Sequence, residues 1–352
     1  MIIRAQRRTA PLASRRTRHG TGASRAVHEL LGPEIITALE RLCGRPTIGM
    51  LDVLVDILSI VAAAVTGMVV GHVIGPVFAV LYIGIRQRHV SNLAHECVHS
   101  KLLANRRGNR LVGYALTGLL GEGFLPYKVT HGIHHAKLGS ADDPMFQSYL
   151  AGGIHRAGPA ASRCAFVFKV IIRNAVWRLP KEAVRTLLTK APQESWWALV
   201  ARGGLWAGAV AVCWPFDALG TFLLYWLLPL IFVRPGTTWI TDLGNHAGLI
   251  ENRSPLVQTR GWSSHGITRH LLGGHLDDMH HPIHHWCPQI PFHRLPEARQ
   301  ILEQRLERWP EVPWCSGFFF RRRTTPDQPC VIEDIIDRLA AQAAGRPAAA
   351  AT

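Results

Sequence analysis

The sequence predicts an all-α integral membrane protein, with two transmembrane helical hairpins (about four spans) and a cytosolic helical cap. Three observations predict it. Ile57 to Ile85 is a run of 29 residues without a formal charge. A second apolar stretch, 196–233, carries only Arg202 and Asp217 as charges. The basic residues are sided: residues 1–50 hold nine Arg, no Lys and three Glu, whereas the connectors 71–76 and 215–216 hold no Lys or Arg. One bilayer crossing takes about 20 apolar residues, and Lys and Arg gather in cytoplasmic segments.

The Arg-rich start, MIIRAQRRTAPLASRRTRHG, has no long apolar region directly behind it and does not read as a cleaved secretory signal. Within the first apolar run, Gly71-His-Val-Ile-Gly-Pro76 has turn composition. One helix therefore descends through about 50–70 and a second returns through about 76–99, leaving the membrane at Arg86. Residues 111–127 are short, Gly-rich and carry Glu122, which suits an interfacial position. Residues 161–180 set Lys169 and Arg173 one turn apart among bulky apolar side chains, as in a helix lying in the headgroup layer.

The second hairpin turns at Trp214-Pro-Phe-Asp217 and ends at Arg234-Pro235. Arg202 reaches the interface by snorkelling, and Trp196, Trp197, Trp214 and Trp226 are candidate interface anchors. The final AAQAAGRPAAAAT is low in complexity and reads as disordered. Three segments follow: a basic cytosolic segment over 1–45, a membrane domain over 46–310, and a partly disordered tail over 311–352.

The net charge of +15 is explained by attraction of Arg to anionic lipid headgroups rather than by a nucleic-acid footprint. Seven cysteines at irregular spacing, with no C-x-x-C pair, indicate reduced thiols rather than a disulfide framework.

Nineteen histidines carry the functional reading. Three clusters stand out: His95-Glu-Cys-Val-His99, His131-Gly-Ile-His134-His135 and His281-Pro-Ile-His284-His285. Residues i, i+3 and i+4 share one helix face, so each cluster aims its imidazoles in one direction. Neutral imidazole binds iron, copper, zinc or nickel, and eight imidazoles suit two ions better than one. His246 is a ninth candidate, with Asp242 one helical turn before it. Asp142, Asp143 and Asp242 are candidates for orienting a ligand from behind. The other ten histidines, His275 and His280 among them, read as surface, packing or supporting groups.

These motifs resemble the membrane fatty acid desaturase family, which also contains hydroxylases and carotenoid ketolases. The resemblance covers about 50–300. It rests on Arg86-Gln-Arg-His89 leading into HECVHS, then NRRGNRLVGYALTG, THGIHH with Asp142-Asp143-Pro144, the NHAG histidine His246, and HPIHHWCPQIP with Leu295-Pro296. It implies a non-haem di-iron centre, O₂ as oxidant, electrons from outside and a hydrophobic acyl substrate; hydroxylation or ketolation of a lipid or carotenoid is the alternative. It also implies a cytoplasmic-membrane protein whose active site faces the cytoplasm. The sequence has no haem-domain, dinucleotide or ferredoxin-type signature, so a ferredoxin-like carrier is expected as partner. Pro282 is accommodated if His281 caps a short helix and Pro282 opens it.

Two other readings remain at this stage. His95-Glu96-x-x-His99 fits the zinc-protease pattern, but that leaves the other two clusters unexplained. A metal transporter would set its ligands near the bilayer midplane, whereas no cluster here lies within an apolar run.

Overall fold

Helices form where the apolar runs are. A computed structural model describes residues 24–44, 49–154, 162–276 and 278–344 of the chain; the Arg-rich start and the end of the Ala-rich tail lie outside them. The protein is 71% helical with almost no strand.

Helix α1 (Arg25–Glu40) is capped by the Ser24 hydroxyl. Helices α2 (Gly49–Val70) and α3 (Ile74–Val98) form the first hairpin. The turn between them needs backbone that most residues avoid, and Gly71 and His72 both take positive φ there. Gly67 allows close approach, because a Cβ at that position would lie 2.7 Å from the Ala79 Cβ and 2.9 Å from the Tyr225 hydroxyl. The outer face of α2 leaves Leu51, Leu54, Leu58, Val61 and Val69 exposed. Apolar exposure of this kind on a long helix marks a lipid-facing surface.

Helix α3 changes character at Arg86. Before it, Val77, Phe78 and Leu81 are exposed; after it, nearly every residue is buried, including Arg88, Asn92 and His95. The polar half therefore forms the floor of a cap. Asp56 of α2, fully buried, pairs with Arg86 there.

The cap continues with α4 (Arg106–Leu119), α5 (Phe124–Ala136) and α6 (Pro144–Gly152). Asn105 caps α4 and Asp143 caps α6 through their side chains. Next come α7 (Arg163–Phe166), two π-helical stretches (Val167–Ile172 and Asn174–Arg178) and α8 (Leu179–Leu188). Phe168, Ile172, Val176 and Trp177 stay exposed on this segment, which agrees with a helix lying against headgroups.

The second hairpin begins with α9 (Trp196–Cys213). It turns through a 3₁₀ stretch, Trp214–Phe216, and a left-handed Asp217. The return comprises α10 (Leu219–Phe222), a π-helical stretch, α11 (Leu228–Phe232) and α12 (Arg234–His246). The sequence reading ended this helix at Arg234-Pro235. Instead the helical path runs on to His246, because Pro235 falls in the first turn of α12, where its missing N–H costs nothing. Among the described residues three helices are long and apolar enough to cross a membrane: Gly49–Val70, Trp196–Phe216 and Leu219–His246.

Beyond α12 lie β1 (Gly261–Trp262), α13 (Gly266–Leu272), α14 (His281–Trp286), α15 (Leu295–Arg305), β2 (Trp314–Cys315) and α16 (Val331–Ala343). The short strands pair in parallel. Pro282 lies in the first turn of α14 but does not open it: His281 is the first residue, and His280, one residue earlier than expected, is the cap.

The segment boundaries drawn from sequence do not divide the fold. Val27, Leu31 and Leu39 of α1 share one core with Leu93, Ile283, Trp286 and Leu302. Val331, Ile332 and Ile335 of α16 share a second core with Trp239, Leu243 and Trp262. Residues 311–344 are therefore packed structure, since α16 has an apolar face that needs a partner. All seven cysteines are free thiols.

Candidate metal centre

Four helices bring nine histidines together, and these are the nine singled out from sequence. His95 lies one turn before the end of α3 and His99 caps it. Helix α5 presents His131, His134 and His135; α12 ends on His246; α14 carries His281, His284 and His285. They form two groups. One is His95, His99, His131, His135 and His284; the other is His134, His246, His281 and His285. Within each group the candidate ligand nitrogens all lie within 4.8 Å of one another.

The nitrogens point inward. His95 Nε2 and His99 Nε2 each lie 2.9 Å from His131 Nε2, and His135 Nε2 lies 3.1 Å from His284 Nε2. In the second group His281 Nε2 is 2.7 Å from His246 Nε2 and 3.0 Å from His285 Nε2. The groups share a wall, where the rings of His135 and His285 stack with centroids 4.2 Å apart. Two ions held here would be neighbours.

His134 supplies the test of fit. Its Nδ1 meets Asp143 Oδ1 at 3.0 Å, and its buried Nε2 has no hydrogen-bond partner. A carboxylate behind Nδ1 fixes the proton there and leaves the Nε2 lone pair facing inward. A cation on Nε2 would complete this arrangement. Burial, and then the neighbouring imidazoles, hold His131, His135, His281, His284 and His285 well below the usual histidine range. They are neutral near pH 7, the form in which imidazole binds metals.

The three aspartates have separate fates. Asp143 supports His134, accepts from the backbone N–H of Gly139 at 2.9 Å and caps α6. Asp142 supports no histidine: it is exposed and pairs with Lys137 at 2.5 Å. Asp242 bonds no cluster histidine either; it lines a cavity, and its carbonyl accepts from the Tyr149 hydroxyl. Adjacency in sequence did not carry over here because Asp142 points outward from the loop while Asp143 turns in to cap a helix.

His280 and His275 lie outside both groups. His280 Nδ1 bonds the Leu276 carbonyl, and its ring meets Trp314. His275 bonds Asp56 at 2.8 Å, near His89. That third convergence already contains the Arg86 guanidinium on Asp56, which supplies the carboxylate with a cation. The Glu96 carboxylate accepts from the backbone N–H of Phe292 at 3.3 Å. His95 and His99 thus belong to a five-histidine group, and their acidic neighbour is directed at another part of the chain.

The family model for fatty acid desaturases matches residues 71–315. The chain belongs to the fatty acid desaturase family. It is 29% identical over 238 residues to the dihydrorhizobitoxine desaturase of Bradyrhizobium elkanii, covering 64% of this chain and 67% of that one. A probable fatty acid desaturase of Sorghum bicolor is 25% identical over 258 residues, covering 64% of this chain and 62% of its own. This desaturase-family chain is a membrane protein and an oxidoreductase. Sequence reading missed what surrounds its histidines. Arg88, Glu122, Arg234 and Asp278 line a cavity that touches both groups. The available signal was a charge at the edge of an apolar run, and Arg234 was read only as a helix terminator.

Proposed function

We propose that this chain is an O₂-dependent di-iron desaturase that converts a CH₂–CH₂ unit into a double bond. The observation that supports this best is the pair of inward-facing imidazole groups with a shared wall. Two hydrogens leave the substrate with two electrons. O₂ takes up these hydrogens, two further electrons from a separate carrier and two protons, and leaves as two waters. A pair of iron ions held by the nine histidines supplies the chemistry of O₂ reduction. The chain holds the imidazoles in place, keeps them neutral through burial, fixes the His134 tautomer through Asp143, and positions the substrate so that one C–H bond lies nearest.

The carrier approaches from the side of His99. Lys101, Arg106 and Lys128 surround that histidine, and a basic face suits an acidic ferredoxin-like protein. The site faces the cytoplasm, with α3 completing a fourth span. Of the two relatives' names, one specifies a fatty acid and the other dihydrorhizobitoxine, so desaturation is common to them and the substrate is not.

Metal analysis of purified protein tests the reading, with about two irons per chain expected from nine imidazoles. One zinc and no iron overturns it. Loss of a substrate's two hydrogens, seen as a product about 2 Da lighter in a host with a matching reductase, tests the chemistry.

A further inference from the structure

A cavity of about 310 Å³ borders both histidine groups, touching His95 and His131 of one and His134 and His281 of the other. Its accessible surface is mostly apolar, as suits a hydrocarbon segment held beside a reacting centre. The arginines in its wall are already matched: Arg88 pairs with Asp278 at 2.9 Å and Arg234 with Glu122 at 2.7 Å. An alkyl chain lying against them strands neither guanidinium, and a buried charge is costly chiefly when its partner is missing.

The cavity leads outward. A second one, about 240 Å³, shares Glu122, Arg234, Thr238 and Asp242 with the first, so the two form one passage that joins beside the Arg234–Glu122 pair. The outer wall of the second belongs to α8, through Leu179, Ala183 and Thr186, and to Ser148 of α6. Thr186 is exposed, so the mouth of the passage lies at the surface of α8.

Helix α8 continues the segment that lies against headgroups. Val184 and Leu188 are exposed on it, as Phe168, Ile172, Val176 and Trp177 are before it. Lys169, Arg173, Lys181 and Arg185 are exposed among them. Apolar side chains interleaved with Lys and Arg suit the layer between acyl chains and anionic phosphates. The mouth therefore opens where the glycerol and the first carbons of a bilayer lipid lie. A chain that enters there passes from hydrocarbon into an apolar cavity and keeps its apolar surface out of water.

The other access to the histidines has a different character. A cavity of about 440 Å³ touches His99, His135 and His285, and it shares Val98, His99 and Lys128 with the basic face assigned to the electron carrier. A water-soluble acyl thioester arriving there would compete with the carrier.

We propose that the substrate is an acyl chain of an intact membrane glycerolipid, entering sideways from the headgroup layer between α8 and α12. Its head group stays at the mouth, among the exposed Lys and Arg side chains, while the chain reaches the histidines. This rests on the desaturase reading for the reaction and names the substrate class of that same site.

Photolabelling of the iron-loaded, full-length protein in nanodiscs tests it without turnover. One probe is phosphatidylglycerol with a diazirine midway along an acyl chain; the other is stearoyl-CoA with the diazirine at the same carbon. The lipid is expected to label Met145 or Thr238 inside the passage as well as the lipid-facing side of α2. Thr186→Trp narrows the mouth at an exposed position. It is expected to remove most of the internal label and to leave the α2 label, the iron content and the Tm unchanged. Ser148→Trp, at the other edge of the mouth, is expected to do the same and replaces Thr186→Trp should that variant lose its fold. The proposal is overturned if the lipid labels α2 but neither internal residue, if the thioester labels them more strongly than the lipid, or if a folded mouth variant keeps the internal label. Because labelling needs no reaction, it fails separately from the desaturase reading, which iron content and the loss of two hydrogens report.

Discussion

What lies behind a histidine fits it to hold a metal as much as where it points. His134 and His280 are both buried near the site, yet their Nδ1 atoms meet different groups, Asp143 in one case and the Leu276 carbonyl in the other. Only His134 is left with an inward Nε2 that no protein group satisfies. Asp143→Asn removes the charge that raises ligand basicity. It is expected to weaken the metal in the four-histidine group about 10- to 100-fold, read as faster loss to a chelator with the other metal retained. His246→Ala removes one of four ligands from the same group and should leave about one iron per chain. His280→Ala serves as the comparison and should keep both. Loss of both irons from His280→Ala together with full retention by His246→Ala would overturn the assignment of the ninth ligand.

At the scale of elements, the hairpins aim the histidines. Helix α3 is a lipid-facing helix for its first half and a buried polar helix for its second, so its last turn delivers His95 and His99 into the cap. The crossing of α2 and α3 depends on the absent side chain at Gly67. Gly67→Leu should overpack that contact and destabilise the fold by roughly 1–3 kcal/mol, seen as a lower Tm in detergent. The hairpins also fix sidedness. Reporter fusions after His72-Val73 and after Asn252 are expected on opposite sides of the membrane, as the Lys/Arg asymmetry requires. The same side for both sinks the two-hairpin arrangement.

Across the whole molecule, the C-terminal segment holds the position of His246. Arg260, fully buried, donates to the Gly244 and Ala247 carbonyls at the end of α12 and to Asp334 of α16. Those carbonyls have no partner within the helix, so Arg260 ties the His246 turn to α16. Asp334→Ala leaves a buried guanidinium without its carboxylate, a loss of about 3–5 kcal/mol. Thermal unfolding should show it, and truncation after residue 310 should be more damaging. A truncated protein with unchanged Tm and iron content would show that residues 311–344 are dispensable. Burial also pushes up the Cys315 thiol, whereas Cys164 is exposed. Maleimide should therefore label Cys164 in the folded protein and Cys315 only after unfolding.

The sequence by itself determined the fold class and the nine histidines, because both are written in local periods. A run long enough to cross a bilayer, and imidazoles at i, i+3 and i+4, need no knowledge of distant residues. Division of the histidines into five and four was not legible: His131, His134 and His135 share a helix face, yet His134 joins the other group. That choice depends on how α5 meets α12 and α14. The same holds for Asp143 over Asp142, for the packing of α16, and for the cavity beside the histidines. Arg234 and Glu122 are 112 residues apart in sequence and 2.7 Å apart in the fold. A pairing over that distance is decided by tertiary packing, because no local pattern encodes which buried charge will meet which.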